Sequence, residues 1–498
     1  MGDTSSNQNG SIHNNPWRRE DTEDNVLETS QSHGQGAAAE ARAADEAHLS
    51  EVAAPPPIDR EEEEEKEKRS IPPNPAREQG IPLSELAAPP PVSREPSRRR
   101  PWDHQVSPTR ESPPPPELEQ AEKRSSAAAP SVSKRATQLY VVSYLVFFAI
   151  LGTLARLGLQ ALTFYPGAPV VTSVLWANVG GCILMGFFGE DRNLFREEWG
   201  DNSNPRTEED EAAFAEWAKK HKSVKKTIPL YIGLTTGFCG SLTSFSSFMR
   251  DVFLALSNNL SVPVGGHVSR NGGYSFMALV AVIVITVALS LSSLIFGAHC
   301  ALALDPLSLT IPFRFTRRVL DPLIVFLAWG CWLGAVFMAI WPPDRHDGPP
   351  THEHWRGRAV FAIVFAPLGC LLRFYASLHL NARIPAFPLG TFAVNIFGTI
   401  IEGMCYDLQH VSGIGALSAT ASMTKSILTS CQVLQGVMDG FCGCTTTIST
   451  WVAELNGLGR RRHAYFYGLM SVGVALAFLV IIMGSLRWTI GFKNPVCA

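Results

Sequence analysis

Long apolar stretches fill this 498-residue chain from about residue 140 to its end. Each is about 20 residues long, the length a helix needs to cross the hydrocarbon core of a bilayer. Nine such stretches predict an all-α integral membrane protein, at residues 140–162, 170–188, 228–253, 276–304, 323–341, 359–380, 387–405, 427–453 and 464–486. The third and the eighth are interrupted by Gly, Ser and Thr, so a broken helix is expected at each.

Residues 1–135 have the opposite character. They are rich in Pro, Ala, Ser and charged residues, with an acidic run at residues 61–65. A segment of this composition cannot bury a core, so it is predicted to form a disordered cytosolic tail. The formal net charge of -3 does not favour nucleic-acid binding.

The apolar region is duplicated. Residues 148–156 and 365–373 agree at six of nine positions, and each copy ends in an arginine within an apolar run. Residues 237–240 and 440–443 both read Gly-Phe-Cys-Gly. We call the sequence separation between the two segments that end in arginine the first-helix spacing. We call the separation between the two Gly-Phe-Cys-Gly motifs the third-helix spacing. The chain therefore contains two copies of one membrane unit.

Each copy holds four predicted spans, and the fifth span belongs to neither. We call residues 136–305 the first repeat and residues 345–498 the second repeat, joined by a linking helix within residues 306–344. One extra span makes the second repeat enter the membrane from the opposite side, which predicts a 4+1+4 inverted repeat. Basic residues gather at alternate connections, so the N-terminus is expected in the cytosol and the C-terminus outside.

The interrupted spans carry the strongest functional signal. Residues 240–248 and 443–451 place Gly, Thr and Ser in mid-membrane, where a helix can unwind only inside protein or beside a wet cavity. Unwound carbonyls are candidate ligands for a small cation, and the hydroxyl groups are candidates for a pore wall. Small residues also serve close helix packing, which is the alternative for either copy alone.

Together these motifs resemble the Fluc/FEX fluoride exporter family, in its fused two-domain eukaryotic form. The resemblance rests on Gly-x-x-x-Arg in each first helix, Asn178 and Asn395 in the second helices, and the two Gly-Phe-Cys-Gly motifs. It implies a passive fluoride channel of the plasma membrane, formed by one chain acting as a pseudo-dimer. It also implies a structural Na+ held by backbone carbonyls, here those of Gly240, Thr243, Gly443 and Thr446.

The family's pore aromatics fall on Phe245 and Phe248 in the first repeat, but on Ile448 and Trp451 in the second. Aromatic edges carry partial positive charge and can face an anion without trapping it. If each pore takes one such position from each repeat, Phe245 joins Trp451 and Phe248 joins Ile448. We expect the first pairing to conduct better.

Several polar residues complete the expected pore. Asn178 and Asn395 can each offer an amide N–H to a partly dehydrated anion, or can bond a neighbouring helix. Arg156 and Arg373 are costly in a membrane, and either flank the vestibules or cap carbonyls. By resemblance, the pore also includes Ser246, Ser449, Tyr467 and Ser471, and the counterparts of the last two are expected at Tyr274 and Ala278.

Two carboxylates have no acidic counterpart at the repeat spacings. Glu402 corresponds to Met185, and Asp439 corresponds to Thr236. An ion-coupled secondary transporter, the main alternative function, requires a titrating carboxylate, and these two are expected to be the only candidates. A membrane-embedded enzyme or receptor is a further alternative, although no catalytic motif occurs in the membrane region. The ten Cys are expected to pack as small apolar residues more than to form disulfides or bind metal.

Overall fold

A computed structural model describes residues 134–165, 168, 172, 174–196, 221–260, 270–307, 310–343, 359–417 and 424–497. The predicted tail, residues 1–135, lies outside the described residues except for its last two. Within the described ranges the chain is helical and contains no β-strand, only two isolated bridges at Ser412, Ala416 and Pro495. The predicted all-α class is confirmed.

The longer helices follow the apolar stretches of the sequence. In the first repeat they are α1 (Lys134–Thr163), α2 (Leu175–Glu190), α3 (Phe245–Leu256) and α4 (Gly272–Ala303). The linking helix is α5 (Asp321–Ile340). In the second repeat they are α6 (Phe361–Leu380), α7 (Leu389–Gln409), α8 (Lys425–Gly436), α9 (Ser449–Gly457) and α10 (Arg461–Thr489).

Six helices among the described residues are long and apolar enough to cross a membrane. They contain α1, α4, α5, α6, α7 and α10, and lie at six of the nine predicted positions. The remaining three predicted spans are shorter or interrupted. The second is the 16-residue α2, and the third and eighth are broken as the Gly, Ser and Thr content predicts.

The linking helix packs against the first helix of each repeat. The indole Nε1 of Trp329 donates to Ser143 Oγ on α1 at 3.1 Å. The Nε1 of Trp332 donates to the carbonyl of Val364 on α6 at 3.0 Å. The Tyr144 hydroxyl of α1 also donates to Asp321 Oδ1, on the first residue of α5, at 2.9 Å.

Glycine permits close helix contact in the first repeat. A Cβ added to Gly186 of α2 would overlap the backbone of Leu294 on α4, and one added to Gly297 would overlap the backbone of Ile183. Small residues at facing positions let two membrane helices pack backbone to backbone. The largest buried cluster of the described residues draws from both repeats, and it includes the aromatic rings that follow each broken helix.

Candidate functional site

The third helix of each repeat unwinds near its middle. In the first repeat a π-helical segment, Gly233–Cys239, leads into one turn, Gly240–Leu242, after which Thr243 and Ser244 are extended. In the second repeat Val437–Cys442 and Gly443–Thr445 precede an extended Thr446. We call residues 240–244 the first break and residues 443–447 the second break.

The two breaks cross-link one another through their threonines. The Ser246 N–H donates to Thr446 Oγ1 at 3.0 Å, and the Ser449 N–H donates to Thr243 Oγ1 at 3.2 Å. The same two threonines lie 3.0 Å and 3.1 Å from the hydroxyls of Ser246 and Ser449. Each threonine therefore caps the helix that follows the break in the other repeat.

The two asparagines brace the breaks. Asn178 Oδ1 accepts the Ser244 N–H at 2.9 Å, and Asn395 Oδ1 accepts the Thr447 N–H at 2.9 Å. In an unbroken helix those amides would donate to the carbonyls four residues earlier, at the first glycine of each break. The asparagines thus release these two carbonyls from their helical partners.

Side-chain caps release two further carbonyls. The Ser247 N–H donates to Ser244 Oγ at 3.2 Å, and the Thr450 N–H donates to Thr447 Oγ1 at 3.4 Å. In a helix those amides would instead bond the carbonyls of the threonines that open the extended segments. The four carbonyls named as sodium ligands from the sequence are therefore among those that lose their helical donors at the breaks. Hard oxygen ligands of this kind fit a small cation.

The two arginines cross between the repeats. Arg156 of α1 donates to the carbonyl of Asp439, and Arg373 of α6 donates to the carbonyl of Thr236 at 2.8 Å. Asp439 and Thr236 correspond at the third-helix spacing, so these contacts are equivalent. Both arginines are buried, and the structure places them on carbonyls, as in the capping alternative.

Each arginine also lies over a glycine of the opposite break. A Cβ added to Gly443 would overlap the guanidinium of Arg156, and one added to Gly240 would overlap that of Arg373. Arg373 further donates to the carbonyl of Cys444 at 2.8 Å. None of these described contacts uses the four released carbonyls.

The predicted pore aromatics are all buried beside the breaks. The rings of Phe245 and Trp451 lie edge to face, with centroids 5.4 Å apart and an interplanar angle of 66°. Phe245 also contacts Phe248 at 5.8 Å. The Nε1 of Trp451 has no hydrogen-bond partner within the described part of the chain, which leaves a buried donor beside the Phe245 ring.

Comparison with known proteins identifies this arrangement. The chain matches the family described as "CrcB-like protein, Camphor Resistance (CrcB)" over residues 143–298 and 360–485, one segment in each repeat. It is also 57% identical over 380 residues to "Fluoride export protein 1" of Neurospora crassa, covering 74% of this chain and 70% of that relative. The chain belongs to the CrcB-like family. The predicted resemblance is confirmed.

Other relatives show the duplication within the CrcB-like family. "Fluoride export protein 1" of Candida albicans is 33% identical over 358 residues, which cover 71% of this chain and 82% of the relative. "Fluoride-specific ion channel FluC" of Pseudomonas aeruginosa is 30% identical over 138 residues, which cover 27% of this chain but 98% of the relative. One repeat therefore corresponds to a whole bacterial relative. No solved structure matches the chain significantly.

The predicted alignment of the fourth helices is wrong. Gly186 contacts Leu294 on α4, and its counterpart Gly403 contacts Leu479 on α10. The fourth helices of this CrcB-like chain therefore align with Leu294 equivalent to Leu479. Alignment by the tyrosine alone missed this register because the fourth helices share no motif.

The new alignment changes the counterparts of two predicted pore residues. Tyr467 aligns with Val282, and Ser471 aligns with Thr286. Tyr467 is fully buried, whereas Tyr274 is 66% exposed near the start of α4. The Ser471 hydroxyl donates to the Tyr467 carbonyl at 2.7 Å.

A buried glutamate was not identified from the sequence. Glu454 of α9 accepts hydrogen bonds from Thr391 Oγ1 at 2.6 Å, Tyr467 Oη at 2.7 Å and Asn381 Nδ2 at 3.3 Å. Its counterpart at the third-helix spacing is Asp251, also buried. The missed signal in the sequence was that both repeats carry an acidic residue at this equivalent position, Asp251 in the first and Glu454 in the second.

This pair of buried acids corrects one expectation. Glu402 and Asp439 were expected to be the only carboxylates available for ion coupling in the membrane region. That expectation is wrong, because Glu454 and Asp251 are buried there as well.

Glu402 and Asp439, for which no firm role was predicted, have clear partners. Glu402 Oε1 accepts from Arg250 Nη1 of α3 at 2.9 Å, which makes an ion pair between the repeats. The Asp439 carboxylate accepts from Gln435 Nε2 at 2.7 Å. Met185, the counterpart of Glu402, instead lines a cavity of ≈ 50 Å³. We call it the Met185 cavity, and its lining also includes Lys226, Thr236, Arg373 and Thr450.

One expectation about cysteine is wrong. Cys431 of α8 and Cys497 near the C-terminus form a disulfide with Cα atoms 5.8 Å apart. The last residues fold back over the loop after α7, where the Val496 N–H donates to the Gly415 carbonyl at 2.9 Å. The apolar sequence around the cysteines predicted that they pack as small apolar residues. That prediction fails for Cys431 because the C-terminal segment folds back and brings Cys497 next to Cys431.

Proposed function

We propose that this chain is a passive fluoride-selective channel that exports cytosolic fluoride and confers fluoride resistance. The observation that carries the proposal is the crossed pair of breaks, in a chain whose relatives are named fluoride export proteins and a fluoride-specific ion channel. Those names describe transport proteins, so we propose a channel and not an enzyme.

The driving force needs no coupling. Fluoride enters cells from an acidic medium as neutral HF and dissociates in the less acidic cytosol. A membrane potential of about 100 mV is worth about 2.3 kcal/mol per charge, which holds the anion concentration down by tens-fold. An open anion path through the plasma membrane is sufficient.

The proposed topology has nine spans in a 4+1+4 inverted repeat, with units at residues 1–135, 136–305, 306–344 and 345–498. Six long helices and the three shorter or broken ones at the expected positions support it. The Cys431–Cys497 disulfide supports an outer C-terminus, because disulfides persist in oxidising compartments. The chain then acts as a monomeric pseudo-dimer in the lipid bilayer.

We also propose that a structural Na+ lies between the breaks. The four released carbonyls of Gly240, Thr243, Gly443 and Thr446 would hold it. When bound, the ion would neutralise carbonyl dipoles that have lost their helical donors. The arginines beside the breaks donate to other carbonyls, which keeps the four oxygens available.

The central experiment is fluoride efflux from liposomes that contain the purified full-length protein. We expect fluoride efflux to be fast, to be absent for chloride and to be unchanged by a proton gradient. Efflux that follows the proton gradient, and that disappears in Glu454→Gln, would instead support an ion-coupled transporter.

Growth in fluoride tests the same proposal in cells that lack their own exporter. The full chain should restore growth, and so should a chain lacking residues 1–130, because the membrane region alone forms the proposed channel. If that truncation destroys function, the membrane-enzyme or receptor alternative gains support.

A further experiment tests the aromatic pairing. Because Phe245 contacts Trp451, we expect Phe245→Ile to abolish fluoride resistance and Phe248→Ile to spare it. The opposite result would assign conduction to the route of Phe248 and Ile448.

A further inference from the structure

The start of α10 carries a run of arginines that the other repeat lacks. Three arginines in succession occupy residues 460–462. In the corrected alignment of the fourth helices, the equivalent residues at the start of α4 are Ser275, Phe276 and Met277. The proposed topology places the start of α10 in the cytosol and the start of α4 outside. Of the two equivalent helix ends, only the cytosolic one is therefore basic.

A fourth arginine comes from the loop between α6 and α7. In this loop Asn381 Nδ2 donates to Glu454 Oε1 at 3.3 Å, and the ring of Phe387 lies against that of Phe466 with centroids 6.1 Å apart. Arg383 lies between these two contacts in sequence, so the loop holds it close to the start of α10. We call the four residues the cytosolic arginine patch: Arg383, Arg460, Arg461 and Arg462.

The charges of the cytosolic arginine patch are not neutralised by the described part of the chain. All four residues are exposed. Among the residues that the structure describes, no carboxylate forms an ion pair with any of them. The acidic residue closest in sequence to the run is Glu454, which is buried and already accepts three hydrogen bonds. The patch therefore presents four positive charges to its surroundings.

Aromatic residues place the patch at the level of the lipid headgroups. Tyr465 and Phe466 follow the arginine run and are 75% and 58% exposed, and Trp488 is 60% exposed at the other end of α10. Exposed aromatic side chains gather at the two interfaces of a bilayer. Tyr465 and Trp488 lie roughly 35 Å apart along the helix, enough to span a hydrocarbon core of about 30 Å. The arginines thus lie just beyond the core on the cytosolic side.

Anionic phospholipid matches this surface in charge and in shape. A guanidinium group binds a phosphate through two parallel N–H···O hydrogen bonds, and phosphatidylserine has a net negative charge that phosphatidylcholine lacks. A cluster of basic residues immediately cytosolic of a membrane helix is typical of phosphatidylserine binding. The exposed rings of Tyr465 and Phe466 lie beside the arginines, where they can pack against the acyl chains of the same lipid.

We propose that the cytosolic arginine patch binds the headgroups of anionic phospholipids in the inner leaflet. This goes beyond the proposed channel function and rests only on the proposed topology, which puts the start of α10 in the cytosol. The bound lipid holds that helix end at the membrane surface, together with the loop that packs on it through Phe387.

Native mass spectrometry of the purified full-length protein tests the proposal by counting bound lipids. In detergent titrated with either lipid, the wild type should bind phosphatidylserine at least about tenfold more tightly than phosphatidylcholine. Arg383→Gln/Arg460→Gln/Arg461→Gln/Arg462→Gln should bind at least one phosphatidylserine fewer. The same four changes to Lys should keep most of the binding, because the attraction depends mainly on charge. An unchanged phosphatidylserine count in the Gln variant would overturn the proposal.

The matched control lies at the equivalent place of the first repeat. Phe276→Gln/Met277→Gln also puts glutamine at exposed positions at the start of a fourth helix, and it should bind as much phosphatidylserine as the wild type. If the control loses lipid as the arginine variant does, lost charge is not the cause and the proposal fails.

The acidic run at residues 61–65 is the other candidate to occupy the patch. If the wild type shows no preference for phosphatidylserine but a chain lacking residues 1–130 gains one, the chain's own tail covers the patch and the lipid proposal is wrong. The lipid count requires no fluoride flux. A protein that binds no phosphatidylserine but passes fluoride would refute the lipid site alone, and one that binds it but passes no fluoride would refute the channel alone.

Discussion

The two repeats are most alike where they touch and differ most about one helical turn away. At the breaks, arginine on carbonyl, asparagine on amide and threonine on serine all recur at equivalent positions. Farther out, Arg250 and Glu402 correspond to Ala453 and Met185. The contacts at the centre occur twice, once in each direction between the repeats, whereas the Arg250–Glu402 ion pair occurs once and has no charged counterpart.

The largest expected effect comes from breaking the Arg250–Glu402 ion pair, because the equivalent positions, Ala453 and Met185, carry no charge. Glu402→Gln removes the shorter of the two ion pairs of the buried Arg250 and leaves the 3.4 Å contact to Asp251, so we expect a loss of about 3 kcal/mol of unfolding free energy. Met185→Leu, at the equivalent position, should cost less than about 1.5 kcal/mol. Thermal unfolding in detergent measures both.

The triple variant Glu402→Met/Arg250→Met/Asp251→Asn is the control for this prediction, because Asp251 also lies 3.4 Å from Arg250. Replacing all three charges with neutral side chains should recover most of the lost stability, because none of the three charges is left without a partner. If the triple variant is as unstable as Glu402→Gln, the ion pair contributes shape and not charge.

A second asymmetry is covalent. The Cys431–Cys497 disulfide joins residues with a sequence separation of 66 in the second repeat, and the residue equivalent to Cys431 in the first is Ile228. Cys431→Ser/Cys497→Ser should lose about 2–4 kcal/mol of stability. A reductant should lower the melting temperature of the wild type and leave that of the variant unchanged. A wild type insensitive to reductant would argue against the bond.

A third prediction concerns the shared centre, where both repeats should respond alike. Gly240→Ala and Gly443→Ala each push a methyl group into an arginine of the other repeat, which must then leave its carbonyls. We expect losses of about 1–3 kcal/mol from each, measured by thermal unfolding. Gly189→Ala, which meets nothing within 4 Å, is the control and should not destabilise α2. Tolerance at only one of the two breaks would show that the centre is not symmetric.

The sequence predicted the centre well because the duplication repeats it. Gly, Thr and Ser in mid-span indicated both breaks, and the two Gly-Phe-Cys-Gly motifs aligned them. The partner of Arg156 was not predictable, because Asp439 is distant in sequence and offers a carbonyl that any residue would supply. The alignment of the fourth helices failed for a related reason. It is determined by Gly186 and Gly403 packing on α4 and α10, and no motif in those helices records it.

The smallest expected effect comes from comparing Trp451 with Phe248, which occupy equivalent positions in the two repeats. Trp451 offers a buried, unpartnered N–H beside Phe245 among the described residues, which a phenylalanine at that position would lack. If fluoride accepts this hydrogen bond in passing, Trp451→Phe keeps an aromatic edge but loses about 1 kcal/mol of anion stabilisation. Fluoride flux in liposomes should then fall several-fold, and the melting temperature should hardly change. A similar change at the other route, Phe248→Tyr, should leave flux within about twofold of wild type if that route is closed. Equal loss of fluoride flux from both changes would mean that the two routes conduct alike, although the second repeat has diverged.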